Sequence, residues 1–515
     1  MFPTRIARLV CMAGVLLALG CARRENHSTM LELALENSPN RLDPAFVIDA
    51  TEGEICSLLY DGLVGFAPDG SMVPALGRTW HISDDGTRYE FHLDTRATFC
   101  NGKPVRASDV LASFRRVLDP ATASPRAWVL SRIRGAGDFQ AGKGSDIPGL
   151  HAPDDSTLVI ELDQPFAPFL SLLALPAAKV IDTATVGTGD APVGSGPWQL
   201  SAWLRSDRIT LTPNPHRAHL PGGITGVNYR IIPEPFTRTA EFESGAIDVL
   251  EIPDAEVPRF LSDAKYKDHV LKRPELRVFY IGLNNTKFTD LRVRRALNYA
   301  INVPAIIRVL ASGEAVPAHG SVPPGLPGHR ERPGYDYDPA RAKALLAEAG
   351  YPNGLSLEIW HREGGEGNRV VEAVQGYLLA AGIKATLVSR EWSAFKEAVN
   401  AGRVDAFFLD WIADYPEAEN FLFPLFDTAN QGGGGNRARF SDPHVDRRLD
   451  AAARLIDPAA RENAYAEIDS LVYAQAPWVY LYFPTTFHAV SPRISGYRLP
   501  AIYLGNDFSG VRKVD

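Results

Sequence analysis

A carboxylate flanked by aromatic side chains, in Trp411-Ile412-Ala413-Asp414-Tyr415, follows directly on the apolar run Phe407-Phe408-Leu409. A strand that runs out into an acid puts charge at a strand end, where ligands of α/β sheets collect. Withdrawn from water, such a carboxylate needs a cation bearing hydrogen-bond donors. The aspartate also fits a structural role, capping the helix expected from Glu419 to Leu425. Trp411 and Trp392, taken alone, read as core side chains.

Groups suited to covalent chemistry are poorly arranged for it. Gly137 to Lys143 satisfies GxxxxGK, but Gly144 stands where Ser or Thr belongs and Pro148 follows, so a phosphate loop is not expected. Ser195 sits in Val193-Gly194-Ser195-Gly196-Pro197, which is not GxSxG. The 12 histidines are scattered, and Cys56 and Cys100 lack the neighbours of a ligand set, so neither a metal nor another cofactor is expected. Those two cysteines leave a disulfide and a pair of free thiols equally open. Catalysis is not the expected activity, with a secreted hydrolase as the alternative.

The elements that position these residues alternate in type. Met30 to Leu35 and Arg88 to Leu93 show strand alternation. From Ser108, Val110, Leu111, Phe114, Val117 and Leu118 fall on one helical stripe that Asp119-Pro120 closes. Trp198 to Ala202 and Ile209 to Thr212 read as strands between Pro and Gly clusters. Asp338-Pro339 opens a helix that Gly350 and Pro352 stop, with Leu345 and Leu346 facing inward. Helices from Val370 to Ala381 and Ser393 to Asn400 then alternate with strands Ile383 to Val388 and Val404 to Trp411, which is α/β character. Gly432 to Gly435 reads as a flexible surface loop.

With 515 residues the chain exceeds one core and implies two or three domains. At its start, Arg5 and Arg8 precede an uncharged run from Leu9 to Gly20 and then Cys21, too short an apolar stretch to span a bilayer and typical of an export signal. Leu17-Ala18-Leu19-Gly20-Cys21 resembles a lipobox, which implies lipidation at Cys21 and a tether over residues 21–28. Plain secretion with cleavage nearby is the alternative. Without the leader's two arginines, 51 basic side chains face 61 acidic ones, a net charge of −10, which argues against nucleic acid as a partner.

The aromatic-acid segment resembles the W-x-x-D-Y signature of the extracytoplasmic solute-binding proteins of the peptide and nickel class. The likeness continues in order along the mature chain: Leu42-Asp43-Pro44, Leu59-Tyr60-Asp61-Gly62-Leu63, Phe99-Cys100-Asn101-Gly102-Lys103-Pro104-Val105, Gly194-Ser195-Gly196-Pro197-Trp198, Asp290-Leu291-Arg292-Val293-Arg294-Arg295-Ala296 and Ala344 to Tyr351. It implies a bilobed α/β fold with mixed sheets flanked by helices and a hinge cleft. The implied division is residues 29–66, 191–268 and 486–515 in one lobe, 67–190 in an extra domain, and 269–485 in the second lobe. It implies a monomeric, extracytoplasmic receptor, anchored in the periplasmic space by lipid at Cys21, that captures short peptides for an ABC importer's permease.

By the same resemblance, Asp414 holds the peptide's α-ammonium, Trp411 and Trp392 line side-chain pockets, and Ala413 and Tyr415 complete the ligand-binding set. Enteric oligopeptide binders carry arginines for the peptide carboxylate where Val399 and Phe408 stand here; Lys396, Arg403 or Arg369 are the replacements at hand. That departure leaves a sugar, an opine or a metal chelate as alternative ligands.

Overall fold

The computed structural model describes residues 29–217, 222–364, 367–514. The leader, Cys21 and the tether lie outside them. Four larger sheets organise the described residues. The first runs in the order Met30–Leu35, Gly226–Ile231, Arg208–Pro213, Trp198–Leu204, with only the first pair parallel. Alternation buries Leu31, Leu33 and Leu35 on one face, as a period of two requires.

The second sheet, Gly77–Ile82, Arg88–Leu93, Thr157–Glu161 and Leu150–Asp154, is antiparallel throughout. The helix Ala107–Leu118 buries Val110, Phe114, Val117 and Leu118, and it ends at Asp119 because Pro120 cannot continue it. Gly137 falls inside the short helix Ala136–Gln140, so the GxxxxGK run forms no strand-to-helix loop.

The third sheet has six strands: Val316–Pro317, Trp478–Phe483, Arg277–Leu283, Ala406–Ile412, Leu355–Arg362 and Ile383–Arg390. Leu355–Arg362 pairs in parallel with both of its neighbours, joined to Ile383–Arg390 by the crossover helix Gly367–Ala380. A smaller sheet of Val249–Glu251, Thr485–Val490 and Val270–Pro274 stands between the first and third. Its two longer strands pair antiparallel, one leading into Arg277–Leu283 and the other leaving Trp478–Phe483. The chain therefore passes between its two largest parts on adjacent strands.

Cys56 is buried with its thiol on the Leu42 carbonyl oxygen at 3.4 Å, Cys100 is half-buried, and both are free thiols. The glycine run 432–435 is not the loose loop expected. Gly432 N–H donates to Asn436 O at 3.1 Å, and Gly435 adopts φ 126°, a conformation that suits glycine.

Candidate functional site

Pairing places Trp411 opposite Val278 and Ile412 opposite Arg277. Along Ala406–Ile412, Phe407, Leu409 and Trp411 face one core while Ala406 and Phe408 face another. Ala413 N–H extends the ladder by one bond to Leu276 O at 2.9 Å, after which the chain turns. The turn is fixed from below. Asp414 N–H donates to Asn420 Oδ1 at 3.0 Å, and the Tyr415 hydroxyl donates to the Glu419 carboxylate. Asn420 and Glu419 belong to the helix Glu419–Phe426, whose N-cap is Ala418. Asp414 thus meets this helix through its main chain, and its carboxylate caps nothing.

Among the described residues the Asp414 carboxylate accepts no side-chain or main-chain hydrogen bond. It faces one cation, the Arg126 guanidinium, with NH1 3.9 Å from Oδ1. Burial raises its pKa, and Arg126 offsets that only in part. Arg126 is itself fixed by Nε–H to Val47 O at 3.0 Å and by NH2 to Ile48 O at 3.1 Å, which leaves NH1 free of both bonds. The hydroxyl of half-buried Tyr503, its pKa raised by burial, feels Asp414, Arg126 and Asp49. Segments far apart in the chain therefore converge on one carboxylate.

Trp411 is half-buried, and its Nε1–H is enclosed without an acceptor. Trp392 is 36% exposed and stacks on Phe395. Lys396 Nζ lies 5.0 Å and the Arg362 guanidinium 5.6 Å from its ring centre, a cation-rich aromatic surface. Ala413 and Tyr415 are buried, at 1% and 3% exposure, so their side chains support the turn and do not line an opening. Val399 and Phe408 are core residues, Phe408 stacking on Phe279 at 5.7 Å. Of the substitute cations, Arg403 is committed to Glu397 at 2.7 Å, while Arg369 is exposed.

A second polar group carries no signal in the sequence. Arg277 Nε sits 2.8 Å from Asp410 Oδ2, with Glu275 at 3.7 Å from its NH1. Burial raises Glu275 and Glu251, although Glu251 remains open to solvent, the condition of an acid lining a gap. Glu251 feels Arg277 from the six-stranded side and Arg238 from the other. Burial also pushes Glu54 up to about 7, opposed by the Tyr229 hydroxyl that donates to it at 2.8 Å and reinforced by Glu251. His488, half-buried opposite Glu251 in the crossing sheet, is driven down to about 4 by desolvation and by Arg273. The surface between the two large parts is thus rich in carboxylates held short of full compensation.

Two parts joined by paired crossing strands, with unsatisfied polar groups on the surfaces between them, define a solute-binding protein. Residues 71–433 match the family described as bacterial extracellular solute-binding proteins, family 5. The chain belongs to this family, whose members serve ABC importers outside the cytoplasm.

It is 30% identical to heme-binding protein A of Haemophilus influenzae over 491 residues, covering 89% of this chain and 88% of that protein. It is 29% identical to the glutathione-binding protein GsiB of Escherichia coli over 482 residues, covering 90% and 91% of the two chains. The structure of the Escherichia coli murein tripeptide binding protein MppA superposes with a TM-score of 0.80 at 26% identity, covering 94% of this chain and 98% of that one. These relatives are binding proteins. No helix of the described residues is long and apolar enough to cross a membrane, and none of their His, Cys, Asp and Glu side chains gather in threes to hold a metal ion.

Proposed function

We propose that this receptor captures short peptides, with Asp414 holding the ligand's ammonium group and the enclosed Trp411 Nε1–H donating to a ligand acceptor. The observation that carries the reading is the half-buried Asp414 carboxylate, which accepts no hydrogen bond among the described residues. A buried acid in that state gains most from a ligand that brings a charge and N–H donors together. Trp392 with Lys396 and Arg362 offers a wall for side chains or for the far carboxylate. The ligands for which similar proteins are named include a murein tripeptide and glutathione, both peptides, and heme, which is not.

The rest of the reading follows from this. Lobes at 29–66, 191–268 and 486–515 and at 269–485, with an extra domain at 67–190, close on the ligand about Val270–Pro274 and Thr485–Val490. The closed monomer docks on the permease, held at the membrane by lipid on Cys21, and performs no catalysis. Mass spectrometry of the ligand that co-purifies with the protein tests the cargo directly, and a sugar or tetrapyrrole there replaces the peptide reading. Asp414→Asn should weaken peptides with a free amino terminus by about tenfold or more, and N-acetylated peptides should bind poorly to wild type. Equal affinities would remove Asp414 from the ammonium role. Persistence of lipid labelling in Cys21→Ser would overturn the anchor.

A further inference from the structure

We infer that residues 311–316 form a strap across the hinge, and that the Ser312 side chain fastens the two large parts in their shut arrangement from a point outside the ligand site. This rests on the hinge reading and adds to it the place where the swing is held.

The segment follows the helix Val303–Leu310 and runs into the short strand Val316–Pro317 at the edge of the six-stranded sheet. Between them it lies against the crossing sheet. The Glu314 carbonyl oxygen accepts the Thr485 hydroxyl at 2.7 Å, and the Glu314 carboxylate pairs with Lys272 Nζ at 2.9 Å. Thr485 and Lys272 belong to the paired crossing strands Thr485–Val490 and Val270–Pro274, so one residue pins both. The pins sit toward the six-stranded end, which leaves bending to the other end, near Val270 and Val490.

Ser312 reaches past the pins. Its Oγ donates to Asp254 O at 3.1 Å, in the turn Asp254–Glu256 that follows the strand Val249–Glu251. Asp254 falls within residues 191–268, on the first part in the proposed division. Reaching it takes two consecutive left-handed residues, Ser312 at φ 52° and Gly313 at φ 74°. Glycine enters that region freely, whereas serine does so against a steric penalty. The turn offsets it with Gly313 N–H to Ile307 O and Glu314 N–H to Ala311 O, both at 3.0 Å, and with Oγ on Asp254.

The bond to Asp254 is made while the parts touch elsewhere. Ala167 N–H donates to Ala453 O at 2.8 Å, and Ser171 Oγ to Glu417 Oε1 at 3.1 Å, which joins residues 67–190 to 269–485. A swing about the crossing strands carries Asp254 away from the pinned strap. A bond present in one arrangement alone favours that arrangement by its own free energy, whatever fills the cleft.

Ser312→Gly removes the hydroxyl and suits φ 52°, so the fold is kept. Hydrogen exchange on the full mature protein without ligand reads the Ala167 amide, whose bond to Ala453 requires the parts to touch. Exchange there should quicken about threefold to tenfold, the worth of one hydrogen bond, while the amides of Arg277–Leu283 keep the wild-type rate. Trialanine should bind the variant more weakly by a similar factor. An unchanged Ala167 amide, an acceleration shared by Arg277–Leu283, or equal trialanine affinity overturns the strap. Wild type that does not bind trialanine brings down the peptide reading, and the ligand-free exchange then decides the strap alone. Trialanine that binds wild type without slowing Ala167 brings down the hinge reading and the strap with it.

Discussion

Asp414 and Asp469 are both carboxylates that burial pushes to higher pKa, and each faces one arginine. Their surroundings differ in completeness. Asp469, at 1% exposure, accepts Ser321 N–H at 2.7 Å and Arg332 NH1 at 2.6 Å. Gly320 permits this approach, since a Cβ there would collide with both the Asp469 carboxylate and the Arg332 guanidinium. Asp414 has no such bonds, only Arg126 at 3.9 Å, and is a quarter exposed. In the finished pair both oxygens of the carboxylate are hydrogen-bonded, tying residues 320–332 to the helix Pro458–Ala474, while in the unfinished pair of the same residue types neither is. Charge type alone does not distinguish the two aspartates; the hydrogen bonds their carboxylates accept do.

The strongest way to break the comparison is to unmake the finished pair. Asp469→Ala leaves Arg332 buried without its carboxylate and should cost about 3–5 kcal/mol, measured by urea unfolding, with peptide affinity per folded molecule unchanged. A loss of binding without a loss of stability would reverse the roles assigned to the two aspartates.

Next in size is Glu419, which supports the Asp414 turn through Tyr415. Burial raises its carboxyl to about 7, partly relieved by the Tyr415 hydroxyl. The native state therefore holds a proton that the unfolded chain releases near the ordinary carboxylate value. This contribution is complete below the unfolded pKa and is lost as pH climbs toward 7. Glu419→Gln should match wild type near pH 4 and exceed it at pH 8 by up to about 3 kcal/mol, at ~1.4 kcal/mol per unit. Parallel stability curves across that range would show that Glu419 ionises freely.

The parts legible in the sequence are those that local chemistry decides. Asp338-Pro339 announces a helix because the Asp338 side chain accepts Arg341 N–H and Pro339 gives up no bond, and the helix runs Pro339–Glu348 as that predicts. The strand from Trp198 extends to Leu204, past the expected Ala202, because pairing with Arg208–Pro213 across a bulge sets its end. In the site, the aromatic-acid turn is visible as a motif. Arg126 is not, because its place depends on two main-chain carbonyls and on an aspartate in another part of the fold. Nor does spacing show that Asn420, and not Asp414, closes the turn before the helix.

The smallest expected effect is the one that separates the two aspartates most sharply. Asp414→Asn removes a charge that burial disfavours and breaks no hydrogen bond made by the carboxylate, so the only interaction lost is the distant one with Arg126. Partly exposed pairs of this kind contribute about 0–1 kcal/mol. Because the native carboxyl is raised above its ordinary value, it opposes folding once ionised, and this opposition vanishes as pH falls below the ordinary carboxylate range. The variant should therefore melt at or slightly above wild type at pH 7 and together with it at pH 3. Adding peptide should raise the melting temperature of wild type and leave the variant nearly unmoved. A variant that unfolds early without ligand would place Asp414 beside Asp469 among the groups that hold the fold, and the unfinished pair would then be structural after all.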